Sequence, residues 1–206
     1  MQNIKVFSLF LLVILLLSGC EVVPGESGDG TGEGPAGVTG TAGYYVPNAN
    51  SNVTSGYVLF SVLGTTVEAN GKIKSLNPQS TWIYCYWKES KRKGIGVITE
   101  YNSATMVYAF TKENFPVSID VTTEVLTGWE IDSPAALETA ETNGGTSFKN
   151  AHPNTIIYPS VGSSPSNYEF PVWVVMYIDG PDRLYCFINA TTGEFITSKA
   201  TSEAES

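Results

Sequence analysis

The chain has 206 residues and a formal net charge of −9, from 20 acidic against 11 basic residues. That balance argues against nucleic acid or anionic headgroups as partners of the body as a whole. A single histidine and three cysteines leave little material for a zinc site or a histidine-dependent nucleophile.

Residues 1–19 read as a targeting segment, to be set aside from the fold. Lys5 supplies the positive start, and residues 6–17 are apolar except for Ser8. As a helix that run spans about 18 Å, short of the ~30 Å hydrocarbon core, so a transmembrane helix is not expected. Leu17-Ser18-Gly19-Cys20 resembles the lipobox of bacterial lipoproteins. The resemblance implies that Cys20 carries lipid and becomes the first mature residue, anchored extracytoplasmically to the cell membrane or outer membrane. The alternative is an ordinary signal peptide with a chance cysteine, and the position of Cys20 directly after the small pair, at the end of the apolar run, argues against it. Residues 20–43 are rich in glycine and acids, with no apolar face, and read as a flexible tether.

Residues 44–128 read as a β-rich half. Residues 57–69 suit a long strand entering a turn at Asn70-Gly71. Residues 72–79 read as a loop. Residues 81–88 (TWIYCYWK) put Trp82, Tyr84 and Tyr86 on one parity and Ile83, Cys85 and Trp87 on the other, as in a strand covered on both faces. A charged turn follows, with Lys88, Lys91, Arg92 and Lys93 at a hairpin tip. The cluster suits an acidic partner or a phosphate headgroup, although a charged turn that keeps a sheet edge soluble is the commoner case. Strands over 94–101 and 105–111 complete this half.

Residues 129–199 form the second half, followed by a tail over 200–206. A helix is predicted over 133–142, with Asp132 or Ser133 as N-cap, Pro134 in the first turn and Asn143-Gly144-Gly145 as the stop. Strands follow over 155–161 and 173–178. A turn over 179–182, a strand over 184–190 and a short terminal strand at 194–196 close the chain.

The stretch Pro171-Val-Trp-Val, a polar loop, a second strand and then Asn189-Ala-Thr-Thr-Gly-Glu194 resembles the C-terminal half of a PepSY-type domain. In that family a W-x-V strand precedes a strand ending in a D-A-x-T-G-E turn. Here Asn189 stands at the Asp position, which keeps the turn chemistry but removes the carboxylate. The likeness covers roughly residues 131–196 and includes the helix. It implies an α+β fold, an antiparallel sheet with a helix packed on one face, and a binding or inhibitory role near peptidases and the cell envelope. Trp82-Ile-Tyr-Cys-Tyr also parallels Trp173-Val-Val-Met-Tyr, each followed by a polar loop and another strand. Two readings stand: a tandem fold whose first copy is degenerate and lacks an obvious helix, or two unrelated hairpins that each hold a tryptophan.

Candidate chemistry is sparse. His152 lies in a loop, and Ser163 and Ser164 sit in a Gly-Ser-Ser-Pro sequence that is not a nucleophile elbow. Asp179 and Asp182 flank a turn without a calcium-loop pattern. No catalytic residue, metal or cofactor is expected. Cys85 and Cys186 suit either a disulfide between the halves or two buried thiols. Trp82, Tyr84, Trp173 and Tyr177, or a free edge strand, are the expected partner-binding surface, unless the halves cover that face. The function expected is a lipid-anchored, non-catalytic module binding an envelope protein or peptide, peptidase inhibition included. The alternative is a structural or small-apolar-ligand-carrying lipoprotein.

Overall fold

The computed structural model describes residues 40–73, 80–100, 103–111, 125–163 and 168–202. The leader, Cys20, the tether up to residue 39, residues 74–79 of the expected loop and the last four residues of the tail lie outside the described residues.

A short helix α1 (Val46–Ser51) precedes four strands: β1 (Val58–Thr65), β2 (Thr81–Lys88), β3 (Lys93–Glu100) and β4 (Ser103–Thr111). A second helical segment follows, with α2 (Ser133–Ala140) and α3 (Thr146–Ala151) joined by a kink at Glu141–Gly145. Four more strands complete the chain: β5 (Ile156–Gly162), β6 (Val172–Asp179), β7 (Asp182–Asn189) and β8 (Phe195–Thr201). All eight lie in one antiparallel sheet ordered β4-β3-β2-β1-β5-β6-β7-β8. Each half is therefore a four-stranded meander, and the two meet where β1 pairs with β5, Val62 facing Val161. The fold is α+β, with helices on one face of one sheet.

The strands form where β-branched and aromatic residues alternate. Every residue of β2 from Thr81 to Trp87 is buried, as its two apolar parities require. The terminal strand, expected as a stub, runs seven residues as the exposed edge β8. Asp132 is the N-cap of α2, its carboxylate accepting from the Ser133 amide at 2.6 Å. The backbone leaves the helix at Asn143 and Gly144 (φ 125°), and α3 restarts after Gly145. A Cβ on Gly145 would lie 2.3 Å from the Tyr177 hydroxyl oxygen, so the second helical turn packs close only through glycine there.

The two halves share a hydrogen-bond plan. Trp82 Nε1 donates to the Gly40 carbonyl at 3.2 Å, and Trp173 Nε1 donates to the Ile131 carbonyl at 2.8 Å; both acceptors lie 42 residues before their tryptophan. The two lead-in segments also touch at equivalent positions. Thr41 Oγ1 donates to Asp132, and the Ala42 amide to Ser133 Oγ at 3.0 Å, both across 91 residues of sequence. The indoles of Trp82 and Trp173 meet edge-to-face at 6.5 Å. This is the geometry of an internal pseudo-dyad through the β1–β5 seam. The first half, read as lacking an obvious helix, has the short α1, and at the same 91-residue offset its buried Ala49 matches the buried Ala140 at the end of α2. Residues 40–43, read as the end of the tether, are built into the body, and Ala42 has no accessible surface.

Candidate binding surface

The helix-covered face holds the principal core: Val62, Trp82, Tyr84, Tyr86 and Val97 from the first half, and Val161, Trp173, Val175, Tyr177, Leu184, Cys186 and Ile188 from the second. Trp82, Tyr84, Trp173 and Tyr177, expected to present a partner surface, are each 0 % exposed. They point under the helices and the lead-in segments, and their polar tips are spent internally. Tyr84 donates to the Ala42 carbonyl at 2.5 Å, and Tyr177 to Glu141 Oε1 at 3.1 Å. Burial pushes both hydroxyls well above the ordinary tyrosine range, helped at Tyr84 by Asp132 and at Tyr177 by Glu141. These four residues are core, and that expected site is corrected.

The disulfide is corrected as well. Cys85 and Cys186 are free thiols. They stand on β2 and β7, four strand spacings or about 19 Å apart, far beyond disulfide reach. They also face opposite ways. Cys186 belongs to the helix-covered core and Cys85 has the parity of Ile83 and Trp87. Desolvation pushes the Cys85 thiol up to about 12 and the Cys186 thiol up to about 11, the latter with help from Glu141, so neither is a ready nucleophile.

His152 caps α3. Its ring stacks on Phe148 at 4.3 Å, and its Nδ1 lies 3.7 Å from Asp182 Oδ2. Asp179 accepts from the Asn154 amide at 3.2 Å. The Asp179 bond thus ties the residues after α3 to the β6–β7 turn, with Asp182 beside His152. Among the described residues no cluster of three or more His, Cys, Asp or Glu side chains is placed to hold a metal.

The second face of the sheet carries no helix among the described residues, and its two halves differ. In the first half Phe60, Leu63, Ile83, Cys85, Trp87 and Phe110 are all buried. Phe110 stacks on Trp87 at 6.2 Å and meets Phe60 edge-on at 6.4 Å. In the second half a buried row of Val172, Val174, Met176 and Tyr185 is ringed by partly exposed Tyr158, Tyr168, Phe170, Ile178, Phe187 and Ile196. Tyr168 and Phe170 stack at 5.4 Å. The register puts Tyr158 opposite Met176, Met176 opposite Tyr185, and Tyr185 opposite Lys199, so β5 to β8 contribute to one continuous strip. Burial raises the Tyr185 hydroxyl while the adjacent Arg183 pulls it back. The strip is apolar along its middle, cationic at its β7–β8 side through Arg183 and Lys199, and bordered by the exposed edge of β8. The sequence reading missed it. The available signal was the shared parity of Ile156 with Tyr158 and of Tyr185 with Phe187, in strands two apart in the sheet.

No family model matches the chain, and no curated protein matches it in sequence. The PepSY resemblance therefore stands on its quoted residues alone. Among solved structures, a candidate lipoprotein from Clostridium difficile 630 overlays with a TM-score of 0.46 at 8 % identity, covering 71 % of this chain and 84 % of that one. At that score the likeness carries no functional argument. Among the described residues no helix is long and apolar enough to cross a membrane.

Proposed function

We propose that the protein is a lipid-anchored, extracytoplasmic, non-catalytic binding module, held by Cys20, whose helix-free strip over β5 to β8 receives an envelope protein or peptide. The observation that carries this reading is the asymmetry of the helix-free face. The fold seals it in the first half and leaves a partly exposed aromatic ring in the second. The start of the body adds support. Gly40 is bound to the Trp82 indole on the helix-covered face, so the strip lies on the opposite side of the sheet from Gly40. PepSY-like peptidase inhibition is the finer form of the same reading. The small-ligand alternative loses its expected lining, because Trp82, Tyr84, Trp173 and Tyr177 are packed against the protein itself.

The test uses the full-length chain in its host, with a photo-crosslinking amino acid in place of Tyr158 or Phe187 and, as control, of Tyr44, which is 59 % exposed. Adducts of defined mass from the strip positions and none from Tyr44 are expected. Adducts from Tyr44 alone, or from no position, refute the strip as the binding surface. Cys20→Ala, in the same cells, is expected to release the protein from the membrane fraction.

A further inference from the structure

The internal dyad supplies a comparison for the basic hairpin tip. β2 and β6 are equivalent strands of eight residues each, and each ends at a hairpin. The β6–β7 hairpin pairs Asp179 with Asp182 and closes through Gly180-Pro181 alone. The β2–β3 hairpin pairs Lys88 with Lys93 and spans Glu89-Ser90-Lys91-Arg92 between them. The fold therefore closes the same hairpin without a cation and with a shorter loop. The longer loop also places Arg92 at φ 49°, a left-handed conformation that glycine would adopt without strain. Lys91, Arg92 and Lys93 are exposed, whereas Lys88 is tied down, its Nζ donating to the Ser55 carbonyl at 2.6 Å. Glu89 is the one carboxylate in this loop, and its Oε2 accepts from the Trp87 indole at 2.7 Å. β2 and β3 are inner strands, so keeping a sheet edge soluble does not account for the charge.

We propose that this tip is a docking point for an anionic lipid headgroup surface; the inference rests on the lipid anchor of the proposed function. The dyad puts the Lys88–Lys93 tip and the Asp179–Asp182 tip at opposite ends of the strands. A membrane bearing negative charge attracts one end and repels the other. The tether permits the contact. From Gly40, beside Trp82, the tip lies about six strand residues or ~20 Å away, and the run of about twenty residues from Cys20 to residue 39 is long enough to reach at most ~66 Å. Docking stands the sheet upright with its strands along the membrane normal, and the binding strip faces sideways, free of the bilayer.

The experiment places a polarity-sensitive fluorophore on Ser90→Cys in the acylated full-length chain, since Cys85 and Cys186 are buried. The chain is bound to vesicles of phosphatidylcholine alone or mixed with phosphatidylglycerol, each carrying a headgroup quencher. Quenching is expected on the anionic vesicles only, and about tenfold or more weaker in high salt or when Lys91, Arg92 and Lys93 become Gln, Gly and Gln. Equal quenching on both vesicle types, or in the triple variant, overturns the inference. So does displacement by inorganic phosphate beyond that by chloride at equal ionic strength, which assigns a discrete anion site instead. A concentration-dependent signal without vesicles assigns the tip to the acidic hairpin of a second copy and overturns it too. Flotation separates the two failures. A chain that floats with neither vesicle refutes the anchor, and the docking with it, whereas one that floats with both but shows no lipid dependence refutes the docking alone.

Discussion

The two halves of the chain repeat one strand plan and diverge in what they leave open. Each places a tryptophan at the start of its second strand and donates that indole to a carbonyl 42 residues earlier. In the first half the helix-free face holds Phe60, Trp87 and Phe110, all buried, and the hairpin tip is basic. In the second half the same face ends in a partly exposed ring of Tyr158, Phe170 and Phe187, and the tip is acidic. What the halves share is needed to fold. Where they differ, the fold imposes no choice, and function is best sought there.

The largest expected effect tests what is shared. Trp82→Ala and Trp173→Ala should each cost about 3–5 kcal/mol, because each empties a buried indole site and removes a bond at the seam. Because one sheet spans both halves, urea unfolding followed by circular dichroism should remain a single transition in either variant. Two separated transitions would show that the halves stand independently.

Gly71→Ala comes next. Gly71 has φ 77°, and a Cβ there would lie 2.4 Å from the Pro134 backbone nitrogen, where the β1–β2 connection meets the start of α2. A loss of about 2–3 kcal/mol is expected from thermal or urea denaturation. Asp132→Ala should cost about 1–2 kcal/mol. It removes the helix cap together with the acceptor for Thr41 and for the Gly43 amide at 2.8 Å. Faster hydrogen exchange at the Gly43 amide would distinguish release of the lead-in segment from simple fraying of α2.

Alkaline pH should weaken the whole sheet more gradually. Buried Tyr84, Tyr86 and Tyr177 have hydroxyls raised above their ordinary 10.0, and the Cys85 and Cys186 thiols are raised above 9.0. The folded state holds these protons more tightly than the unfolded state. Their contribution is therefore complete below the unfolded values and falls as pH climbs toward the folded ones. Urea midpoints should be flat with respect to these groups near neutrality and decline from about pH 9 upward. Lys149→Ala should change stability least, by about 0.5 kcal/mol, since its 2.7 Å pair with Glu141 is partly exposed.

Much of this fold was legible in the sequence. The bounds of β2 follow from the unbroken aromatic and β-branched run of residues 81–88, and the start of α2 from Asp132 and Pro134, whereas Asn143-Gly144-Gly145, expected as the stop of a helix over 133–142, is a kink between α2 and α3. The short α1 was not legible, because six residues with two asparagines carry no apolar period. Its trace was the proline placed in its first turn as Pro134 is in α2. Parity correctly separated Trp82 and Tyr84 from Cys85 and Trp87. It did not say which set the helices cover, because that depends on how a helix crosses over the sheet, which no local pattern encodes. The same limit hid the strand order that keeps Cys85 from Cys186.

The central claim, that one face of the sheet is structure and the open strip on the other is function, is tested most directly by one paired variant. Tyr158→Ser with Phe187→Ser alters only the ring of the strip. The urea midpoint and the photo-adduct from a crosslinker at Ile178, on the same strip, are then measured together on the full-length chain. The account predicts a midpoint close to that of the parent and loss of the adduct. A midpoint lowered as far as in Trp173→Ala, or an adduct that persists undiminished, would contradict it.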